Sequence, residues 1–166
     1  RVSPHPDVVA KRMNVLLSLS AANIHDSVGP RILITTANAI VQKVPPLSAF
    51  RGMAREIGTG SRLDGDDFVA ELIRNGYSRA EQAMEPGEYA VRGGLIDLYP
   101  PGYDDPVRID LFGDDVEGLR TFDPITQRST GTLKTLRLKP MSETILTREA
   151  IDQFRGGYRE LFGAIS

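Results

Sequence analysis

Gly87-Glu88-Tyr89-Ala90-Val91-Arg92-Gly93-Gly94-Leu95-Ile96-Asp97-Leu98-Tyr99-Pro100 holds two β-forming runs joined by a diglycine. Pro86-Gly87 supplies a turn, and an apolar run then ends in Arg92. A diglycine follows, and after it a second apolar run. Glycine inside a β segment marks a bulge, a sharp bend or the close approach of another backbone, so the stretch predicts a sharply bent ribbon. Two readings follow. The diglycine serves a bulge that lets the sheet coil, or the ribbon is an exposed platform presenting Arg92 with Arg79 on a neighbouring strand. Arginine and tyrosine on a rigid platform are residue types enriched in binding hot spots.

The β signal extends from Arg79 to Leu138. Runs are predicted over Arg79–Met84, Glu88–Arg92, Leu95–Tyr99 and Val116–Phe122, with Leu136 and Leu138 closing the series. Val107, Ile109 and Leu111 alternate with Arg108, Asp110 and Phe112, the period of a half-buried strand, and Gly113-Asp114 reads as a hairpin turn. Before this region, Asp64–Asn75 reads as a helix with acidic residues in its first turn and Gly76 at its stop. Met53–Gly60 reads as a strand.

Toward the N-terminus the pattern changes. Prolines at positions 4 and 6 introduce a helix over residues 6–21, with Val9, Met13, Leu16 and Leu17 at helical spacing. Asn23–Pro30 reads as a loop. Ile32-Leu33-Ile34 suits a buried parallel strand, followed by a short helix through Val41 that Pro45-Pro46 stops. At the other end a helix over 147–162 is expected, capped by Thr147, with Ile151, Phe154, Tyr158 and Leu161 as its stripe and Gly156-Gly157 as a weak point. The organisation predicted is α/β plus α+β. An α/β portion (residues 1–48) is interrupted by an inserted β-rich α+β domain (residues 49–132), and residues 133–166 return to the first.

The 20 basic and 22 acidic residues leave a net charge of −2, without the basic excess usual in a dedicated nucleic-acid binder. Cysteine is absent, which rules out disulfides, thiolate metal sites and cysteine nucleophiles and fits a reducing cytoplasm. No apolar run approaches the roughly 20 residues of a membrane-spanning helix. The Arg1-Val2-Ser3-Pro4 start has neither an initiator Met nor an apolar leader, and reads as the start of an excised piece.

Catalytic chemistry finds little support. His5 and His25 stand without other strong ligand donors nearby, as surface histidines do. Asp114-Asp115-Val116-Glu117 offers carboxylates, but at a hairpin where Asp favours the turn. Asp64-Gly65-Asp66-Asp67 lacks the later ligands of a calcium loop. Neither Gly58-Thr59-Gly60-Ser61 nor Gly93-Gly94 has the context of a P-loop, so this chain is not expected to hydrolyse ATP.

The residues from Gly76 to Ser129 closely resemble the UvrB-like region of bacterial transcription-repair coupling factors. Gly76-Tyr77, the stretch from Pro86 to Pro100, Pro106 to Val116, and Phe122-Asp123-Pro124-Ile125-Thr126-Gln127-Arg128-Ser129 carry the likeness. Arg1-Val2-Ser3-Pro4 and Ile34-Thr35-Thr36-Ala37-Asn38-Ala39 extend it upstream. The resemblance implies a helicase-like α/β domain without a working ATP site, interrupted by an inserted domain that binds UvrA. It implies arginines on the sheet as the contact, with Arg79 and Arg92 at matching positions and Tyr99 as a further aromatic contact. A third arginine of the UvrB pattern falls at Ala90, which implies a smaller patch. For the whole parent it implies RNA polymerase and duplex DNA as partners, engaged elsewhere, and ATP with Mg for a motor outside this chain. The other family reading is a DNA-binding fragment of a UvrB-type excision-repair helicase subunit.

Overall fold

The computed structural model describes residues 5–20, 32–44, 55–142 and 148–163. Expectations for residues 21–31, for Pro45-Pro46 and for the Thr147 cap lie outside them. The fold is α+β, and a β-meander forms its body. β3 (Glu88–Arg92), β4 (Leu95–Leu98), β5 (Val107–Phe112), β6 (Asp115–Phe122) and β7 (Ser129–Thr132) pair antiparallel in sequence order. β2 (Ser78–Arg79) joins the β3 edge in parallel and completes a six-stranded sheet. β1 (Arg55–Gly58) and β8 (Thr135–Leu138) form a separate antiparallel pair, with Ile57 opposite Leu136.

Period-two alternation gives the sheet two unlike faces. One carries Tyr89, Val91, Ile96, Leu98, Val107, Ile109 and Leu119, which join Phe68 and Leu72 of helix α3 (Gly65–Arg74) in one apolar cluster. Ile57, Leu136 and Leu138 belong to the same cluster. Asp64 caps α3 by accepting from the Asp67 backbone N–H at 2.9 Å. Its far end closes with two reverse hydrogen bonds, Tyr77 N–H to Leu72 O and Gly76 N–H to Ile73 O, both at 3.0 Å. Gly76 sits there at φ +85°, the left-handed residue that such a helix stop requires.

Helix α1 (Pro6–Ser20) reaches the main cluster through Ala10, while Met13 and Leu17 bury in a smaller cluster with Val9 and Leu16. Lys139 Nζ donates to Asn14 Oδ1 of this helix at 2.6 Å. Helix α2 (Ala37–Ile40) is capped by Thr36. Helix α4 (Arg148–Phe162) runs unbroken through Gly156-Gly157, so the expected weak point does not interrupt it. Phe154, Tyr158 and Leu161 of its apolar stripe are exposed.

Several expectations need correction. Ile32-Leu33-Ile34 is not a strand, and Ile32 and Ile34 are 86% and 91% exposed. An apolar triplet buries as a parallel strand only between neighbouring strands, and no strand among the described residues pairs with it. The run expected over Arg79–Met84 is ladder only at Ser78–Arg79, because Met84 and Glu85 turn their N–H groups onto the Glu88 carboxylate, both at 2.9 Å. Leu136 and Leu138 pair with β1, in the smaller sheet. β7 escapes sequence reading because Ser129-Thr130-Gly131-Thr132 is a polar, exposed edge with no apolar alternation.

Candidate partner-binding face

The sheet face turned away from the apolar cluster is built from the alternate residues of the same strands. Ala90 pairs with Asp97, Asp97 with Arg108, Arg108 with Arg120, and Arg120 with Thr132, one row across β3 to β7. Asp97 is buried, with 1% of its side chain exposed, and so requires cations. It has two. Arg108 grips it with both arms of its fork, Nε to Oδ1 at 2.6 Å and a terminal nitrogen to Oδ2 at 2.8 Å. Arg92 donates to Oδ2 at 2.7 Å. Arg108 also lies over the buried ring of Phe122, 4.6 Å from its centroid, where the ring quadrupole attracts the cation. The bond to Asp97 raises the Arg108 pKa above its ordinary value, against the opposing effect of burial. Arg120 pairs with Asp110 further along the face.

The chain after β6 folds back onto this face. Arg92, on β3, donates to Gln127 Oε1 at 3.2 Å. Gln127 Nε2 donates in turn to Pro124 O at 2.7 Å, and Gln127 N–H to Asp123 O at 2.8 Å. Asp123 Oδ1 accepts from Ile125 N–H at 3.0 Å, Thr126 N–H at 2.6 Å and Thr126 Oγ1 at 2.9 Å. The bonds from Thr126 come first among those holding the Asp123 carboxyl below its usual range. Gln127 occupies left-handed φ +60°, which costs a non-glycine residue about 1 kcal/mol. That conformation persists only because these bonds over-determine the turn.

The three expected contact residues are placed differently. Arg92 lies on this outer face, and 44% of its side chain is exposed. Arg79 is exposed on the neighbouring edge strand, in register with Tyr89. Residues in parallel register point to the same side of a sheet, so Arg79 belongs to the Tyr89 side and Arg92 to the other. The two are also about 10 Å apart along the strands. Tyr99 continues the β4 ladder, its N–H donating to Glu88 O at 2.9 Å, and its hydroxyl donates to Asp104 O at 2.6 Å. Ala90 is buried beside Asp97.

Sequence reasoning missed Asp97, Arg108, Phe122 and Gln127. A signal for Asp97 was present: Ile96-Asp97-Leu98 sets a carboxylate between apolar neighbours in a central strand, and such a group demands a cation on the next strand. The diglycine resolves as a tight turn joining β3 to β4. Gly93 takes φ +57°, and a side chain on Gly94 would come within 2.6 Å of Leu111 O.

The chain belongs to the UvrB interaction domain family, which matches residues 56–143, more than half of its length. Nearly the whole chain is also similar to part of known transcription-repair-coupling factors. It is 36% identical to that of Escherichia coli K12 over 160 residues, covering 96% of this chain and 13% of the relative. For Myxococcus xanthus the identity is 35% over 148 residues (89% and 12%), and for Bacillus subtilis 32% over 144 residues (87% and 12%). The chain thus spans about an eighth of the length of these relatives. No helix among the described residues is long and apolar enough to cross a membrane.

Proposed function

We propose that this chain is the UvrA-binding module of a transcription-repair coupling factor. The observation that carries this reading is Arg92, a half-exposed guanidinium held on a rigid sheet by the buried Asp97. A planar, permanently charged fork pairs well with carboxylates, and fixing it beforehand lowers the entropy lost on binding. Arg79 adds a second cation at the sheet edge, reachable by a partner that wraps around β2. Tyr99 contributes ring surface, its hydroxyl already satisfied within the chain.

The organisation we propose is an inserted unit, residues 49–132, between flanking segments 1–48 and 133–166. The pairing of β1 with β8 supports it by bringing the two connections side by side. In the parent protein the module links RNA polymerase stalled on duplex DNA to excision repair, and a separate motor uses ATP and Mg. Chemistry is not assigned to this module.

Titration of the chain with purified UvrA tests the reading. Arg79→Ala combined with Arg92→Ala should weaken binding by roughly tenfold or more, since truncating an arginine central to an interface, the place Arg92 holds in this reading, costs about 2 kcal/mol. Unchanged affinity in a folded double variant would remove these residues from the contact. Failure of the native chain to bind UvrA would overturn the module assignment.

A further inference from the structure

We infer that the turn Asp123–Arg128 is the second half of the partner-binding surface, with Ile125 as its apolar anchor on the turn that Gln127 ties to Arg92. This rests on the UvrA-binding reading and extends it to residues that no part of that reading required.

Ile125 is 80% exposed, and a single exposed isoleucine would ordinarily need no explanation. Its setting sets it apart. It rides at the tip of a six-residue turn in which Asp123 Oδ1 takes three donors and Gln127 closes back onto both Asp123 and Pro124. The Gln127 side chain also accepts from Arg92, so the turn and the guanidinium form one fixed assembly spanning from β6 to β3. An apolar side chain held this way loses little freedom when a partner covers it. Arg128, also exposed, is the last residue of the turn.

The surface therefore offers one aliphatic side chain on a turn that Gln127 ties to Arg92 and that ends in the exposed Arg128. That chemistry fits an acidic segment of the partner that carries an apolar side chain among its carboxylates. Such a segment would satisfy Arg92 and Arg128 while covering Ile125, the arrangement of a buried anchor within a charged rim. Arg79, on the other side of the sheet by register, lies outside this composite.

Affinity for UvrA, measured with the whole chain, separates the possibilities. Ile125→Ala should weaken binding roughly tenfold, and Ile125→Glu should weaken it further by setting a like charge against the acidic segment. Ile73→Ala, an equally simple truncation on the exposed side of α3, should leave affinity unchanged, and melting curves establish that each variant is folded. Combining Ile125→Ala with Arg92→Ala should give a non-additive loss. If both Ile125 variants bind like the native chain while Arg92→Ala weakens binding, the anchor is overturned and the UvrA reading stands. If the native chain does not bind UvrA, both fall together.

Discussion

Arg108 holds Asp97 with two parallel hydrogen bonds, at 2.6 and 2.8 Å, across the β4–β5 ladder on the face opposite the apolar core. Both side chains are largely out of solvent, at 14% and 1% exposed. Arg92 joins the same carboxylate from the rim. This asymmetry divides labour between the arginines, one structural and one available to a partner.

Asp97→Asn should therefore destabilise the fold by about 3 kcal/mol, because Arg108 is left buried against a neutral group. Arg92→Ala should cost less, about 1 kcal/mol, since Arg92 is itself 44% exposed and Asp97 keeps both hydrogen bonds from Arg108. Urea unfolding of the two variants checks the contrast. Equal losses would show that Arg92 is as structural as Arg108.

The β3–β4 turn offers a second contrast. Gly93→Ala meets no neighbouring atom and should cost only the left-handed penalty of about 1 kcal/mol. Gly94→Ala would drive a methyl group into Leu111 O, and overpacking against backbone costs about 1–3 kcal/mol. Gly94→Ala should melt at the lower temperature.

Tyr77 carries an alkaline signature. Its hydroxyl donates to Lys139 O at 2.6 Å, and burial pushes its pKa above the ordinary tyrosine value. The folded state therefore favours the protonated phenol. The stabilisation is fully present below about pH 10, where the unfolded side chain ionises, and declines as pH rises above it. Tyr77→Phe should lose about 1 kcal/mol at neutral pH and flatten this alkaline decline. Denaturation midpoints from pH 7 to 11 test both parts.

Asp123 should act at the other end of the scale. Its lowered pKa means that the turn's hydrogen bonds are intact above the ordinary carboxylate value of about 4 and fail as pH falls through the lower folded value. The protection of the Ile125 and Thr126 amides, measured relative to the same amides in unstructured peptide at each pH, should hold at pH 5 and fall toward pH 2. Asp123→Ala should show no such protection at any of these pH values.

Much of this was legible in the sequence. The meander announced itself through alternation in Val107–Phe112 and through Gly113-Asp114, and α3 through Asp64 and Gly76. Strand β7 was illegible because threonines on an exposed edge carry no apolar period. Ile32–Ile34 misled for the opposite reason: apolar residues predict burial only where a neighbour exists to bury them. Of the candidate face, Arg92 could be read from its place at the end of a strand. Its link to Gln127 could not, because residues 35 apart meet there through a turn whose shape depends on one left-handed glutamine.

The pairing of β1 with β8 has a consequence in time. Neighbouring strands of the meander join residues close in sequence, whereas Arg55 must find Leu138 across everything between them. Local hairpins close sooner than distant ends, so the charged outer face should take shape while the small sheet is still open. A chain ending before Leu138 would have its meander but no clasp, leaving Ile57 uncovered and prone to stick to other chains. β8, the later half of that pair, thus acts as the latch that makes the earlier work permanent.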